Sequence, residues 1–258
     1  MNTILDLKDG LATLTLNRPA AYNSLDGPLV EEFLHIIQNL EKDPEVRVLV
    51  LTGAGKAFCA GGDLKYIREE LSGPAEGRNF IGLVGQLVRE LHHFRCPTLA
   101  MVNGVAAGAG ANLALACDLI YCSSSARFGQ SFANVGLMPD AGGHYFLPRA
   151  VGLAKAKELM FTGDLIDAAS ALEIGLVNQV VEDDQLWQTV LALAEKLAAG
   201  PPLILAAIKR NLNLSQGFGL EQVLALETEG QAWALMSEDG REGLAAFAEK
   251  RKPAFKGR

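Results

Sequence analysis

The chain opens with two short apolar-rich runs, residues 4–7 and 11–16, split by Asp9-Gly10. An Asp-Gly pair suits a tight turn, so two antiparallel strands are expected first. Asn17-Arg18-Pro19 closes the second run. From about residue 28 to 40 the period lengthens, and Val30, Phe33, Leu34, Ile37 and Leu40 share one face of a helix. Residues 46–52 then read as a buried strand. The order recurs after Pro97, with a strand over 98–102, a helix over 110–117 and a strand over 119–122. Such alternation predicts an α/β fold.

Beyond a last strand over 177–181 the pattern turns to helix formers, over 184–199, 203–214, 220–236 and 239–251. Gly200-Pro201-Pro202 and Gly217-Phe218-Gly219 separate these helices, as residues that stop or start helices should. The division expected is therefore a core over 1–199 and a C-terminal helical region over 200–258. Apolar residues in that tail, Trp233 among them, need a cover, and an oligomeric partner would supply one.

A chain of 258 residues that is 49% hydrophobic and 21% charged can bury a substantial core and lies far from the disordered class. The N-terminus has neither a basic stretch nor an apolar run behind it, so no secretory leader is expected. The longest weakly polar run, 97–116, is interrupted by Asn103, Asn112 and several glycines, which argues against a membrane helix. A cytoplasmic location follows as the expectation. Cys59, Cys96, Cys117 and Cys122 form no CxxC pair and have no histidines at metal spacing, so they read as reduced structural thiols. A net charge of -7 opposes nucleic acid binding by the bulk surface.

Two segments carry candidate chemistry. The first, TGAGKAFCAGGDL over 52–64, is a small-residue loop after a buried strand, the kind that lets a ligand approach backbone N–H groups. It is neither a Walker loop nor a complete GxGxxG, and a plain structural turn stays open. In the second, VNGVAAGAGANL over 102–113, a strand feeds a small-residue turn and then a helix. Amides at a helix N-terminus carry partial positive charge and can stabilise an anion, while close helix–strand packing explains the same residues equally well.

Together these segments resemble the enoyl-CoA hydratase/isomerase (crotonase) superfamily. The matching motifs are AFCAGGDL at 57–64, VNGVAAGAGANLALACD at 102–118, FGQ at 128–130, GLMPDAGGHYFLPRAVG at 136–152 and TGDLIDAASALEIGLVNQVV at 162–181, and the likeness runs on to the C-terminal EKRKPAFK. The resemblance implies a spiral of ββα turns followed by a helical trimerisation region, assembled as a homotrimer or as a hexamer of two trimers. It implies an acyl-CoA substrate whose thioester oxygen is held by the N–H groups of Gly62 and Ala109. Coenzyme A is then part of the substrate, and neither a separate cofactor nor a metal is expected. Ala60, Gly61, Asp63, Leu64 and Lys65 would lie along the coenzyme. Lys250, Arg251, Lys252 and Lys256 are candidates for its phosphates, with a solvated charged terminus as the alternative. Residues 66–94, with Ile67, Phe80, Ile81, Val84 and Leu87 at helical spacing, would line the acyl pocket or make an ordinary helix core.

The acids decide the reaction. The two glutamates of a typical hydratase match Asn112 and Phe132, and neither an amide nor a phenyl ring relays a proton near neutral pH. Asp140 occupies the position in PDAGG where several isomerases of the superfamily carry an acid, which places the chain nearest single-acid enoyl-CoA isomerases and phenylacetate-pathway CoA ring isomerases. One carboxylate suffices for a 1,3 proton shift, and burial would make it a stronger base. The competing reading of Asp140 is a helix N-cap. His144, one helical turn on, could pair with Asp140 or lie partly exposed, and His35, His92 and His93 read as surface residues. The competing functions are an enoyl-CoA hydratase and a CoA- or RNA-binding scaffold without catalysis.

Overall fold

A computed structural model describes all 258 residues. The opening hairpin is present as β1 (Thr3–Lys8) and β2 (Leu11–Leu16), turned by Asp9 and Gly10, both at positive φ. Then come α1 (Gly27–Lys42), capped by the Asp26 side chain, β3 (Val48–Gly53) and β4 (Ala57–Cys59). After α2 (Leu64–Glu70) and α3 (Pro74–His92) the chain forms β5 (Thr98–Val102), β6 (Val105–Ala107) and α4 (Ala109–Ala116). The next turn is β7 (Leu119–Ser123), β8 (Arg127–Gly129), α5 (Gly143–Val151) and α6 (Leu153–Thr162). It closes with β9 (Leu165–Asp167), α7 (Ala168–Glu173) and β10 (Gln179–Val181). Four helices follow: α8 (Leu186–Ala198), α9 (Pro202–Ser215), α10 (Leu220–Met236) and α11 (Glu238–Glu249).

The strands make two sheets. One has the order β1-β2-β3-β5-β7-β10 and is parallel beyond its first pair; the other has the order β4-β6-β8-β9 and is parallel except at its last pair. Each of the turns β3-β4, β5-β6 and β7-β8 places its first strand in the larger sheet and its second in the smaller, then continues into helix. That is the ββα spiral. The pleat sorts the core: Leu49, Leu51, Ala100 and Val102 face the main core between sheets and helices. Val48, Val50, Leu99 and Met101 point the other way and are covered by Leu186, Val190, Ala194 and Ala198 of α8.

Several boundaries move for local reasons. Val46 and residues 177–178 are not in strands; Val46 N–H bonds back to Asp43, and the Asn178 side chain accepts from Ile120 N–H before β10 starts. The helical stripe over 66–94 is two helices, because α3 restarts at Pro74 with Gly73 extended ahead of it. The second glycine-rich stretch contains β6 ahead of α4, and the loop over 52–64 contains β4. The boundary expected at 199/200 falls between α8 and α9. α9 is anchored to the body by Lys209, whose side chain is 8% exposed and bonds Asp118 at 2.8 Å and the Cys96 carbonyl at 3.1 Å. No single helix is long and apolar enough to cross a membrane.

Candidate active site

Pairing of the 57–64 loop orients its amides. Leu25 N–H donates to the Gly61 carbonyl at 2.7 Å, and Asp63 N–H donates to the Leu25 carbonyl at 2.9 Å. In extended chain successive amides point to opposite sides, so the Gly62 N–H is left facing away from Leu25. Gly61 takes φ +100°, and a Cβ there would stand 2.9 Å from the Ala107 carbonyl oxygen. Only glycine lets this loop lie against the entry to α4. Gly110 completes the approach, since a Cβ on it would come 2.0 Å from the Cys59 carbonyl oxygen. Ala109 is the first residue of α4 after its N-cap Gly108, so its N–H has no partner within the helix. Neither the Gly62 nor the Ala109 amide donates to any carbonyl of the chain.

Both residues line one cleft of about 410 Å³. Leu25, Ile67, Leu71, Phe80, Ile81, Val84 and Phe132 form apolar walls, and Val135, Leu137 and Met138 stand exposed at its rim. Of the twenty lining residues Asp140 alone is ionisable, and Ser131 contributes the only other polar side chain. Burial pushes the Asp140 carboxyl up to about 6, against a small lowering by its own backbone N–H, and its Oδ1 has no hydrogen-bond partner. Asp140 is not a helix cap. The chain takes two consecutive left-handed residues, Ala141 and Gly142, before α5 begins, and Gly142 is the cap. A carboxylate held in apolar surroundings with an unpartnered oxygen is poised to take a proton.

Ala60, Gly61, Leu64 and Phe132 line the cleft together with these groups. Other expected binding residues do not. Asp63 accepts from Lys65 and Tyr66 N–H as the cap of α2 and pairs with Arg18 at 3.0 Å, so its carboxylate is already engaged. The Lys65 side chain is exposed beside Glu69, outside the lining. Asn112 is fully buried behind the cleft, where its amide donates to the Asp140 carbonyl. Lys250 is the left-handed cap of α11, and the Lys256 N–H is tied to Asp239; within one chain neither lines the cleft. His144 is exposed and faces a separate cleft, so it does not pair with Asp140. His35 is exposed beside Asn39. The expectation of a surface His92 fails: it is half-buried against Tyr145 and Phe146, and desolvation holds its pKa below the usual imidazole value.

Sequence reasoning missed Leu25 and Ser131. Ser131 directly follows FGQ and could have been found there, whereas Leu25 reaches the cleft through one bridge to Gly62 and leaves no local signal.

A ββα spiral whose glycine-lined loop lies over the start of a buried helix is the crotonase fold. The chain belongs to the enoyl-CoA hydratase/isomerase family, whose model matches residues 6–258. It is similar to the 1,2-epoxyphenylacetyl-CoA isomerase of Escherichia coli (strain K12), 41% identical over 254 residues that cover 98% of this chain and 97% of the relative. It is also similar to the short-chain-enoyl-CoA hydratase of Clostridium acetobutylicum, 39% identical, covering 100% of this chain and 98% of that one. The crystal structure of an enoyl-CoA hydratase from Bacillus anthracis superposes with a TM-score of 0.96 at 34% identity, covering 100% of both chains. Enzymes named for both reactions therefore stand at similar distance, and the identity levels alone do not choose between them.

Proposed function

We propose that this chain is an acyl-CoA isomerase that moves a double bond between C3 and C2 of an enoyl thioester, or performs the corresponding shift on a ring or epoxide thioester. The observation that carries the reading is the solitary Asp140: one carboxylate, its pKa raised, in a cleft with no second ionisable group. A 1,3 shift needs one such group. Asp140 removes a proton from C2, the electron pair moves into the thioester to give a dienolate, and the same carboxyl returns the proton at C4. Atoms and charge balance without water. The Gly62 and Ala109 amides hold the enolate oxygen, where the α4 N-terminus adds favourable partial charge. The coenzyme portion runs along the loop from Ala60 to Lys65.

Hydration is the second reading, favoured by the relatives named hydratases. It calls for groups that hold and activate water, and the buried amide of Asn112 and the phenyl ring of Phe132 supply none. The test incubates the protein and its Asp140→Asn variant with a 3-enoyl-CoA and a 2-enoyl-CoA. Mass-neutral conversion that is lost in the variant supports the isomerase, and gain of one water independent of Asp140 overturns it. The assembly proposed is a homotrimer, alone or paired into a hexamer. What supports it is the apolar surface left exposed on the C-terminal helices, including Leu212, Leu220, Trp233, Met236 and Phe247. Light scattering in solution measures that mass directly.

A further inference from the structure

Asp140 has an anchoring problem. Its Oδ1 has no partner, so no side chain fixes the carboxylate from its free end. Its place in the cleft depends on the main chain, and that main chain is strained at Ala141, which sits at φ +48° just ahead of Gly142. A non-glycine residue in the left-handed region persists only when its surroundings hold it.

The fastening is visible on the far side of the turn. The Asp140 carbonyl accepts Gly143 N–H at 2.9 Å, closing the turn, and also accepts the Asn112 amide Nδ2 at 2.8 Å. Asn112 is 0% exposed, and its Oδ1 accepts from Gln130 Nε2 at 2.7 Å; Gln130 is 2% exposed. The direction of the relay is forced from the Asp140 end. A carbonyl can only accept, so Asn112 must present its NH2 to Asp140 and its oxygen to Gln130, and Gln130 must answer with its own NH2. The last oxygen in the line, Gln130 Oε1, has no partner. A buried carbonyl left unmatched is a cost that an apolar side chain at 130 would avoid. Packing admits no slack either, because a Cβ on Gly143 would stand 2.5 Å from Asn112 Nδ2.

We propose that Asn112 and Gln130 are positioning residues that set the reach of the Asp140 carboxylate by pinning its carbonyl, Gln130 acting only through Asn112. The proposal rests on the reading of Asp140 as the acid/base, and its test separates the two. Steady-state isomerisation of a 3-enoyl-CoA is measured for Asp140→Asn, Asn112→Ala, Gln130→Ala and the double Asn112→Ala/Gln130→Ala variant, with thermal melts as the folding control.

A displacement of the base by about an ångström costs on the order of a hundredfold in rate, so Asn112→Ala is expected to lose that much kcat with KM within about threefold. Gln130→Ala should lose about tenfold alone and almost nothing further once Asn112 is already alanine, since the two act as one unit. Full kcat in Asn112→Ala beside a dead Asp140→Asn overturns the relay and leaves the acid/base reading intact, whereas an active Asp140→Asn overturns that reading. A rise in KM that accounts for the whole loss, or losses at 112 and 130 that simply add, also overturns the relay. Should Asn112→Ala fail to fold, Gln130→Met, which keeps the length and removes the donor, is expected to lower kcat at unchanged KM; unchanged kcat there overturns the proposal.

Discussion

Replacing Asp140 by Asn should abolish isomerisation and, at neutral pH, make the protein more stable. Burial raises the carboxyl from an ordinary value of 3.8 to about 6, a shift of about two units. At about 1.4 kcal/mol per unit, the ionised carboxylate burdens the fold by up to about 3 kcal/mol. The sign follows from proton uptake. Between about pH 4 and pH 6 the folded state holds the proton that the unfolded state has released, so stability falls as pH rises through this window. Below it the acid is neutral in both states and the burden vanishes. A neutral amide never carries it. For a chain of this size a gain of about 3 kcal/mol corresponds to roughly 6 to 12 °C in Tm, an upper bound because Asp140 is only partly buried. The assay is a series of thermal melts of both proteins from about pH 8 down to about pH 4, with kcat/KM of the parent followed over the same range. The Asn variant should melt higher at the alkaline end, the gap should close across the window, and the parent's activity should fall below about pH 6 as its base protonates. A gap of constant size, or a variant less stable at neutral pH, would refute the argument from desolvation.

Three further outcomes are expected. Gly77 lines the cleft one turn ahead of Phe80 and Ile81, and a Cβ on it meets nothing within 4 Å. Gly77→Leu should therefore cut kcat/KM for long acyl chains by about tenfold or more relative to short ones, read across a chain-length series. Lys209→Ala removes the bonds to Asp118 and to the Cys96 carbonyl, while Asp118 stays solvated and keeps its bonds from Thr98, so it should cost about 1 to 3 kcal/mol, measured by chemical denaturation. All four thiols are buried, with Cys59, Cys117 and Cys122 pushed up to about 12 by desolvation, so a thiol reagent at mildly alkaline pH should label none until the chain unfolds.

The larger sheet was legible because five of its six strands run five or six residues, enough for apolar character to show against the flanking turns, and the three-residue β10 lies inside a longer apolar-rich run over 176–181. α10 falls on residues 220–236 as the helix formers indicated. The smaller sheet was not legible. Its four strands are three residues each, too short for a period of two to be distinguished from the glycine-rich loops that contain them. They are strands only because the spiral lays successive turns side by side, a non-local fact. The break between α2 and α3 was hidden because α2 is a seven-residue helix with no buried residue to mark a face of its own, and only Gly73-Pro74 marks the stop.

The site divides in the same way. The residues at the cleft wall, Gly62, Ala109 and Asp140, lie in motifs that resemblance could match, and the fold does gather them on one cavity. What the motif could not give is orientation. Asp140 followed by Ala-Gly-Gly-His has the composition of a cap, and only the two left-handed residues after it release the carboxylate from that duty and turn it toward the cleft. Asn112 likewise reads as a lost acid until its partner is seen to be a main-chain carbonyl 28 positions away. Main-chain acceptors carry no residue identity, so no pattern of side chains announces them. On the reading proposed above, the buried amide that cannot relay a proton holds the main chain of the one carboxylate in the cleft, so the side chains at 112 and 140 are physically coupled.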